Sequence, residues 1–378
     1  VTITYGEPPR ELPFVVGVLA DLSGQAEKPP LSSRQFIGVT RDNLPPHPGL
    51  TYLFNNANGD NVKIRVLDVS HRELYRDLTR SVAFDQSILF KKVHDDIFGI
   101  KDAEPFAILI GDYEFSNDTA DANVLERLSQ VAEAIHAPFL AGAVRQLLFL
   151  DDVGTPEYVR WRSFRKSESA RYVCLTTPRM LLSPPPSLVW GNSAFALGVR
   201  IVAAFVRFGW CANIRGRDGG MVTELPKQWL GKYLTSAEVV LELWQQKALS
   251  DAGLISFAHH HGPSDGFAFV GTCHQPIIYE SAEATETARL AADLRYVLAI
   301  SRFVHYLRVM IRDQQSDVGA LNQWIAQYVC HEKEPSPEKP LGSAHVDISQ
   351  RTITLRASPR FQLEPLIYPL RATFPLPA

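Results

Sequence analysis

Apolar and polar positions alternate along Val1–Tyr5, and Leu12–Leu22 is an almost continuous valine-rich apolar run, so both stretches read as extended strands. Neither has a hairpin partner nearby. Proline clusters at Pro8-Pro9, Pro29-Pro30 and Pro45-Pro46 punctuate this opening region, since proline does not sit in central strands. From Leu50 the period changes. Val62–Leu67 alternates apolar and basic residues as a half-buried strand does, His71–Arg80 and Ser87–Phe98 have helical spacing, Ala107–Gly111 is a short buried-type strand, and Ala122–His136 is a helix. Strand and helix in alternation predict an α/β core, mixed with α+β elements further along.

Phe139–Gly142 and Tyr172–Thr177 read as further strands, and Pro156–Lys166 as a charged helix with Tyr158, Trp161 and Phe164 three apart. Residues 192–209 form an apolar helix interrupted by Arg200 and Arg207, which argues for burial and against membrane insertion. Gly253–His260 and Gly266–Gly271 flank the polar turn His261–Asp265 as in a hairpin. The apolar stripe of Thr285–Asp313 predicts one helix roughly 40 Å long. Val318–Val329 adds a helix, His331–Gly342 is a solvated Lys/Glu/Pro linker, and Ala344–Ile348 pairs with Arg351–Ala357 around a turn at Ser349-Gln350.

Composition adds little to this picture except exclusions. With 378 residues, 46% of them apolar, the chain has ample material for a core without disulfides. Lys and Arg number 38 against 41 Asp and Glu, so nucleic acid and anionic lipid find no electrostatic footprint. Cys174, Cys211, Cys273 and Cys330 are far apart and contain no C-x-x-C pair, which fits a reducing cytoplasm. The first twenty residues, with Glu7, Arg10 and Glu11, do not read as a cleaved signal.

The search for chemistry is negative. His259-His260-His261 with Asp265, Cys273 and His274 offers zinc-ligand residue types, but adjacent histidines in a strand point to opposite faces and no paired motif completes a set. Asp112 and Glu114 follow a buried strand and share a face, yet no nucleophile or phosphate loop accompanies them. Arg215–Gly220 lacks the spacing of a phosphate-binding glycine loop, and Gly191–Phe195 lacks the closing glycine of a nucleophile elbow. No catalytic residue, cofactor or metal is expected. Arg160, Arg162, Arg165 and Lys166 make a basic helix face suited to solvent or to intersubunit ion pairs.

Several segments in order resemble the large subunit of the contractile sheath of bacterial type VI secretion systems. They include Gly59–Leu67, Phe84–Ser87, Pro105–Phe115, Pro156–Arg165, Trp190–Ala194, Arg207–Gly216, Ser301–Leu307, Leu321–Ile325 and Phe361–Glu364. Leu12–Gly24, Lys28-Pro29, Arg34–Phe36 and Arg41–Asn43 resemble the small sheath subunit instead. The small-subunit-like part stops near Asn43, without the helical remainder, and joins large-subunit-like sequence by about Pro48. The large-subunit part lacks its usual N-terminal region and is shorter around Ser183–Leu188 and Thr223–Leu234.

The resemblance implies a non-enzymatic protomer of a helical tube that surrounds an inner tube, assembles on a baseplate and contracts. It implies a sheath-like α/β core with extended arms: strand arms over 1–46, an α/β domain over 47–182, a core with long helices over 183–330, and a linker with C-terminal hairpin over 331–378. Arms of such sheaths pair with strands of neighbouring protomers. On that basis Val1, Ile3, Tyr5, Phe14, Val16, Val18, Ala20, Val346, Ile348, Ile353 and Leu355 are the expected intersubunit strand residues, and Arg160, Arg162 and Arg165 the expected intersubunit charge contacts. The implied partners are other sheath protomers, the inner tube and the baseplate, in the bacterial cytoplasm at a membrane-anchored baseplate. A AAA+ recycling unfoldase is a further partner in the family, but the helix it grasps has no counterpart in this sequence. A non-polymerising baseplate or tail adaptor with the same core is the alternative.

Overall fold

Seven consecutive buried residues, β1 (Phe14–Ala20), point alternately into two separate cores, and the body is arranged around them. The computed structural model describes residues 1–24, 28–148, 156–260, 264–313 and 317–376. After β1 come β2 (Ile37–Gly38), α1 (Pro48–Asn56), β3 (Val62–Asp68) and α2 (His71–Arg80). A helical run follows as α3 (Ile88–Phe90), a π turn (Lys91–Asp95) and α4 (Asp96–Phe98). Next are β4 (Phe106–Phe115), α5 (Thr119–Ile135), β5 (Phe139–Ala143), α6 (Pro156–Lys166), β6 (Val173–Thr177), β7 (Met180–Ser183), β8 (Val189–Gly191) and α7 (Ala194–Phe208). Then come α8 (Gly216–Gly219), β9 (Met221–Val222), β10 (Gln228–Leu230), β11 (Tyr233–Thr235), α9 (Leu243–Asp251), β12 (Leu254–His259) and β13 (Asp265–Phe267). The chain closes with α10 (Ala282–Ala291), α11 (Leu294–Arg312), α12 (Val318–Ala326), β14 (Leu341–Ser349), β15 (Thr352–Pro359) and β16 (Leu370–Pro375).

The main sheet runs β2-β3-β1-β4-β5-β6-β12-β13-β9, parallel from β3 through β12 and antiparallel at both ends. A parallel strand covered by helices on both faces needs apolar residues at every position, which is why β1 shows no alternation. Val15 and Leu19 face the core closed by α2 and α5, whereas Phe14, Val16, Val18 and Ala20 face the core closed by α1 and α7. At Gly17 the sheet packs closely against its neighbours: a Cβ there would stand 2.5 Å from Leu109 Cδ2 and 2.9 Å from Phe106 Cδ1.

The expected single helix over Thr285–Asp313 is two helices. Asp293 ends the first and caps the second, accepting from Arg295 N at 2.9 Å, while Thr272 N reaches Ala292 O at 2.9 Å. The apolar stripe runs on across the break, so periodicity alone does not reveal it. All of α11 from Leu294 to Ile311 is buried, and the helix joins the main sheet to a third core shared with α12 and β14–β16. Its polar side chains are buried against backbone carbonyls: Arg302 donates to Leu12 O and Pro13 O, His305 meets Ile135 O at 3.0 Å, and Arg308 donates to Ala134 O. The last two groups sit at the carbonyl end of α5, where unsatisfied acceptors and the helix dipole favour donors.

The C-terminal hairpin pairs Val346 with Leu355 and Ile348 with Ile353, and β16 adds a third strand beside β15. Its two turn residues are Gln350 (φ 48°) and Arg351 (φ 60°), one position later than the expected Ser349-Gln350. The polar turn His261–Gly262–Pro263 lies outside the described residues, although β12 and β13 pair as the expected hairpin. Among the described residues no helix is long and apolar enough to cross a membrane.

Candidate assembly surfaces

The stretch expected to reach out as an arm is bound within its own chain. β1 pairs with β3 on one edge and β4 on the other over nearly its whole length, so Phe14, Val16, Val18 and Ala20 have no open edge to offer a neighbour. Residues 1–12 run along the C-terminal lobe instead of forming a free strand. Ile3 and Leu12 are buried in its core, with Val1 and Tyr5 packed against it. Trp324 Nε1 donates to Thr4 O at 2.8 Å, and Thr4 N donates to the Tyr328 hydroxyl at 3.0 Å. Leu12 N donates to the Tyr306 hydroxyl at 2.9 Å. An apolar run without alternation is the pattern of a strand buried on both faces.

Ion pairs clamp the loop after β1 to the body. Lys28 Nζ lies 2.5 Å from Asp21 and 2.7 Å from Asp68, and Arg34 grips Glu73 through both terminal nitrogens, at 2.5 and 3.1 Å. Glu73 also completes the capping box of α2 with Ser70. The Arg34 hydrogen bonds, with those from Ser70, hold the Glu73 carboxyl down to about 2 from an ordinary 4.5. A depressed carboxyl stabilises the fold above its unfolded value and loses that contribution as pH falls through its folded one. The urea midpoint of the intact protein is therefore expected to fall between pH 4.5 and about 2, and Glu73→Gln to lower the neutral midpoint and flatten that limb.

The C-terminal sheet has one blocked edge and one open edge. Val346, Ile353 and Leu355 are fully buried core residues, and Ile348 is partly buried against them. On the outer side of β14, Asn322 of α12 accepts from Val346 N at 2.9 Å and donates to Val346 O at 2.8 Å, while Leu341 pairs with Val329. Asn322 thus occupies both outward backbone groups of Val346, in the middle of β14. β16 pairs only with β15 among the described residues, with Arg371, Thr373 and Pro375 exposed and Ala372 and Phe374 buried.

The three arginines of α6 part company. Arg160 is exposed and donates to Asn123 Oδ1 at 2.7 and 3.1 Å, and Arg162 is exposed on the same helix. Arg165 is a core residue, 6% exposed, donating to Cys273 O at 3.0 Å and Asp251 O at 2.9 Å. Trp161 and Phe164 turn the same side of the helix inward and carry Arg165 with them.

The residues weighed for chemistry are structural anchors. Asp265 is fully buried, accepting from Thr235 Oγ1 at 2.7 Å and Ser236 N at 2.6 Å, with His259 Nδ1 at 3.1 Å; it ties β11 to β13. Cys273 belongs to the core facing α5, where burial pushes its thiol up to about 12, and His274 Nδ1 contacts Ser167 O at 2.9 Å. Among the described residues no group of three or more His, Cys, Asp or Glu side chains stands close enough to hold a metal ion. Asp112 meets His47 Nε2 at 2.8 Å, and His47 Nδ1 accepts from Leu50 N at the start of α1. Glu114 lies 3.9 Å from Arg179, whose guanidinium is engaged by Glu238 at 2.6 and 3.0 Å; burial raises the Glu114 pKa.

Comparison with known proteins finds relatives along most of the chain. The family described as EvpB/VC_A0108, tail sheath N-terminal domain, matches residues 47–186 and 183–274, and its tail sheath gpW/gp25-like domain matches 283–373. The family described as type VI secretion system VipA, VC_A0107 or Hcp2, matches 2–46. The type VI secretion system sheath protein TssC1 of Pseudomonas aeruginosa PAO1 is 31% identical over 398 residues, covering 87% of this chain and 79% of that protein. Two solved structures share the fold. One, from the anti-feeding prophage baseplate, has a TM-score of 0.51 at 10% identity and covers 98% of this chain and 93% of that one. The other, from the contracted sheath complex of an extracellular contractile injection system, has 0.53 at 6% identity over 93% and 84%. The chain belongs to the type VI secretion system tail sheath family, with a VipA-type segment supplying the central strand of a VipB-type body.

Proposed function

We propose that the protein is a structural protomer of a contractile sheath, polymerising into a helical tube around an inner tube on a baseplate and contracting to propel it. The observation that carries this reading is the match to sheath families over residues 2–274 and 283–373, in a body built on one nine-stranded sheet with a separate three-stranded C-terminal sheet. Contraction needs two packings of the protomer with the contracted one lower in free energy, and no bound nucleotide. Summed over a tube, even ~1 kcal/mol per protomer makes firing irreversible. Neighbours pair on the open edge of β16 and not on β1, with exposed Arg160 and Arg162 of α6 as charge contacts between protomers.

The test is tube formation by the purified protein as its concentration rises, seen by electron microscopy. Monodisperse protein at every concentration would favour an adaptor. Successive N–H groups of an edge strand point alternately to the partner and to the open side. Of Ala372→Pro and Thr373→Pro, one therefore breaks a bond to β15 and lowers Tm. The other is expected to keep Tm and lose the tubes; tubes from both would exclude β16 as the pairing edge.

A further inference from the structure

Both exposed tryptophans among the described residues stand at one end of the main sheet, and an exposed Ile-Ile-Tyr segment stands at the other. The tryptophan end is built from the β10–β11 hairpin and the start of α9. Thr235 Oγ1 and Ser236 N donate to Asp265 at 2.7 and 2.6 Å, and the Tyr233 ring lies 5.4 Å from that of His259, so the hairpin is anchored at the C-terminal end of β12. The Tyr233 hydroxyl also reaches Glu242, immediately before α9, at 3.5 Å. Trp229 of the hairpin is 70% exposed and Trp244, in the first turn of α9, 72%, with Leu230 and Leu243 exposed beside them in the chain.

The Ile-Ile-Tyr segment, residues 277–279, follows a stretch fixed at the opposite end. Cys273 N donates to the carbonyl of Val173, the first residue of β6, at 2.8 Å, and Gln275 N to Arg165 O at 2.7 Å. Arg165 in turn binds Asp251 O, just ahead of β12, which runs parallel to β6. Ile278 is 85% exposed, and Ile277 and Tyr279 on either side of it are exposed as well.

The two segments carry opposite charge. Residues 225–237 include Lys227 and Lys232 and no acidic residue, whereas residues 275–288 include Glu280, Glu283 and Glu286 and no basic one. The carboxylates flanking the hairpin are engaged, Glu224 by Arg200 at 3.1 Å and Glu238 by Arg179 at 2.6 Å, and Glu286 is taken by Arg289 at 2.6 Å. Lys227, Lys232, Glu280 and Glu283 enter no ion pair among the described residues. Exposed aromatic and aliphatic residues gathered in a patch mark a protein contact, and charge around the patch selects its partner. A surface that fits a different surface of the same molecule makes a head-to-tail contact, which repeats into a ring or an open helix.

We propose that the basic, tryptophan-bearing end of one protomer docks on the acidic, isoleucine-bearing end of a second copy. Trp229 and Trp244 meet residues 277–279, and Lys227 and Lys232 meet Glu280 and Glu283. Because the two faces lie at opposite ends of β6 and β12, copies joined in this way stack along the direction of those strands. The inference rests on the assembly reading above and adds to the edge of β16 a contact that gives the stack its polarity.

Four full-length proteins are compared for Tm in dilute solution and for the critical concentration of tube formation by sedimentation: wild type, Lys227→Glu/Lys232→Glu, Glu280→Lys/Glu283→Lys, and the chain with all four changes. None of the four side chains is buried or ion-paired, so every variant is expected to keep the wild-type Tm. Each pair of reversals sets like charges across the contact and is expected to raise the critical concentration at least tenfold. All four together restore opposite charges and are expected to return it to the wild-type value. Tubes from either pair of reversals at the wild-type concentration overturn the contact. So does a fourfold variant no better than the pairs, since the two ends would then meet different surfaces. Wild-type protein that forms no tubes overturns the assembly reading itself, whereas wild-type tubes with unaffected variants overturn this contact alone.

Discussion

A Val16→Pro protein is expected to yield no folded protomer. Val16 is fully buried at the middle of β1, with Ile64 of β3 on one side and Ile108 of β4 on the other. Proline removes a ladder hydrogen bond and, in a central strand, has no edge on which to place its ring, so it is essentially confined to edge strands and bulges. Replacing a fully buried valine side chain at the same time disturbs the core facing α1 and α7. Together these reach the total stability of a typical domain, about 5–15 kcal/mol. The expected readout is insoluble material, or soluble material without a cooperative urea transition. A Val16→Pro protein that folds and merely fails to polymerise would show that β1 serves neighbouring protomers after all.

Arg165→Glu is the second large effect. It places a carboxylate against Cys273 O and Asp251 O, two carbonyls that now accept from the guanidinium. Leaving each buried carbonyl without its donor costs about 1–3 kcal/mol, and the new charge repels the same oxygens. Gly253 confirms how closely the guanidinium is packed: at φ +83° it stands where a Cβ would lie 2.7 Å from Arg165 Nε. Arg165→Glu is expected to lower the urea midpoint severely, whereas Arg160→Glu, on the exposed face of α6, leaves it within the small range of surface changes. Equal midpoints for the two variants would remove Arg165 from the core.

Periodicity identified the elements whose two faces differ. Val62–Leu67 alternates because β3 is flanked by the short edge strand β2 and stays half-exposed, and His71–Arg80 carries its capping box in plain view at Ser70 and Glu73. Periodicity was silent where both faces are alike. The apolar run at 14–20 was recognisable as a strand, but its place followed only from reading the missing alternation as double burial. In α11 the apolar stripe was legible but the polar positions were not: Arg302, His305 and Arg308 are buried donors serving carbonyls some 170 to 290 residues away. Those acceptors are backbone groups, and backbone carbonyls leave no mark in a sequence. The C-terminal turn was displaced by one residue because Gln350 and Arg351 take positive φ without the glycine or asparagine that usually announces it.

β1 and β3 are separated by a tether of about 40 residues. A flexible chain of that length has a root-mean-square span of roughly 35 Å, which holds the strand near its slot at an effective concentration in the millimolar range. The segment matched by the VipA family therefore meets the VipB-type body by an intramolecular search. Its insertion does not depend on how much protein a cell contains, and the ratio of central strands to bodies is fixed at one by the peptide bond between Pro46 and His47.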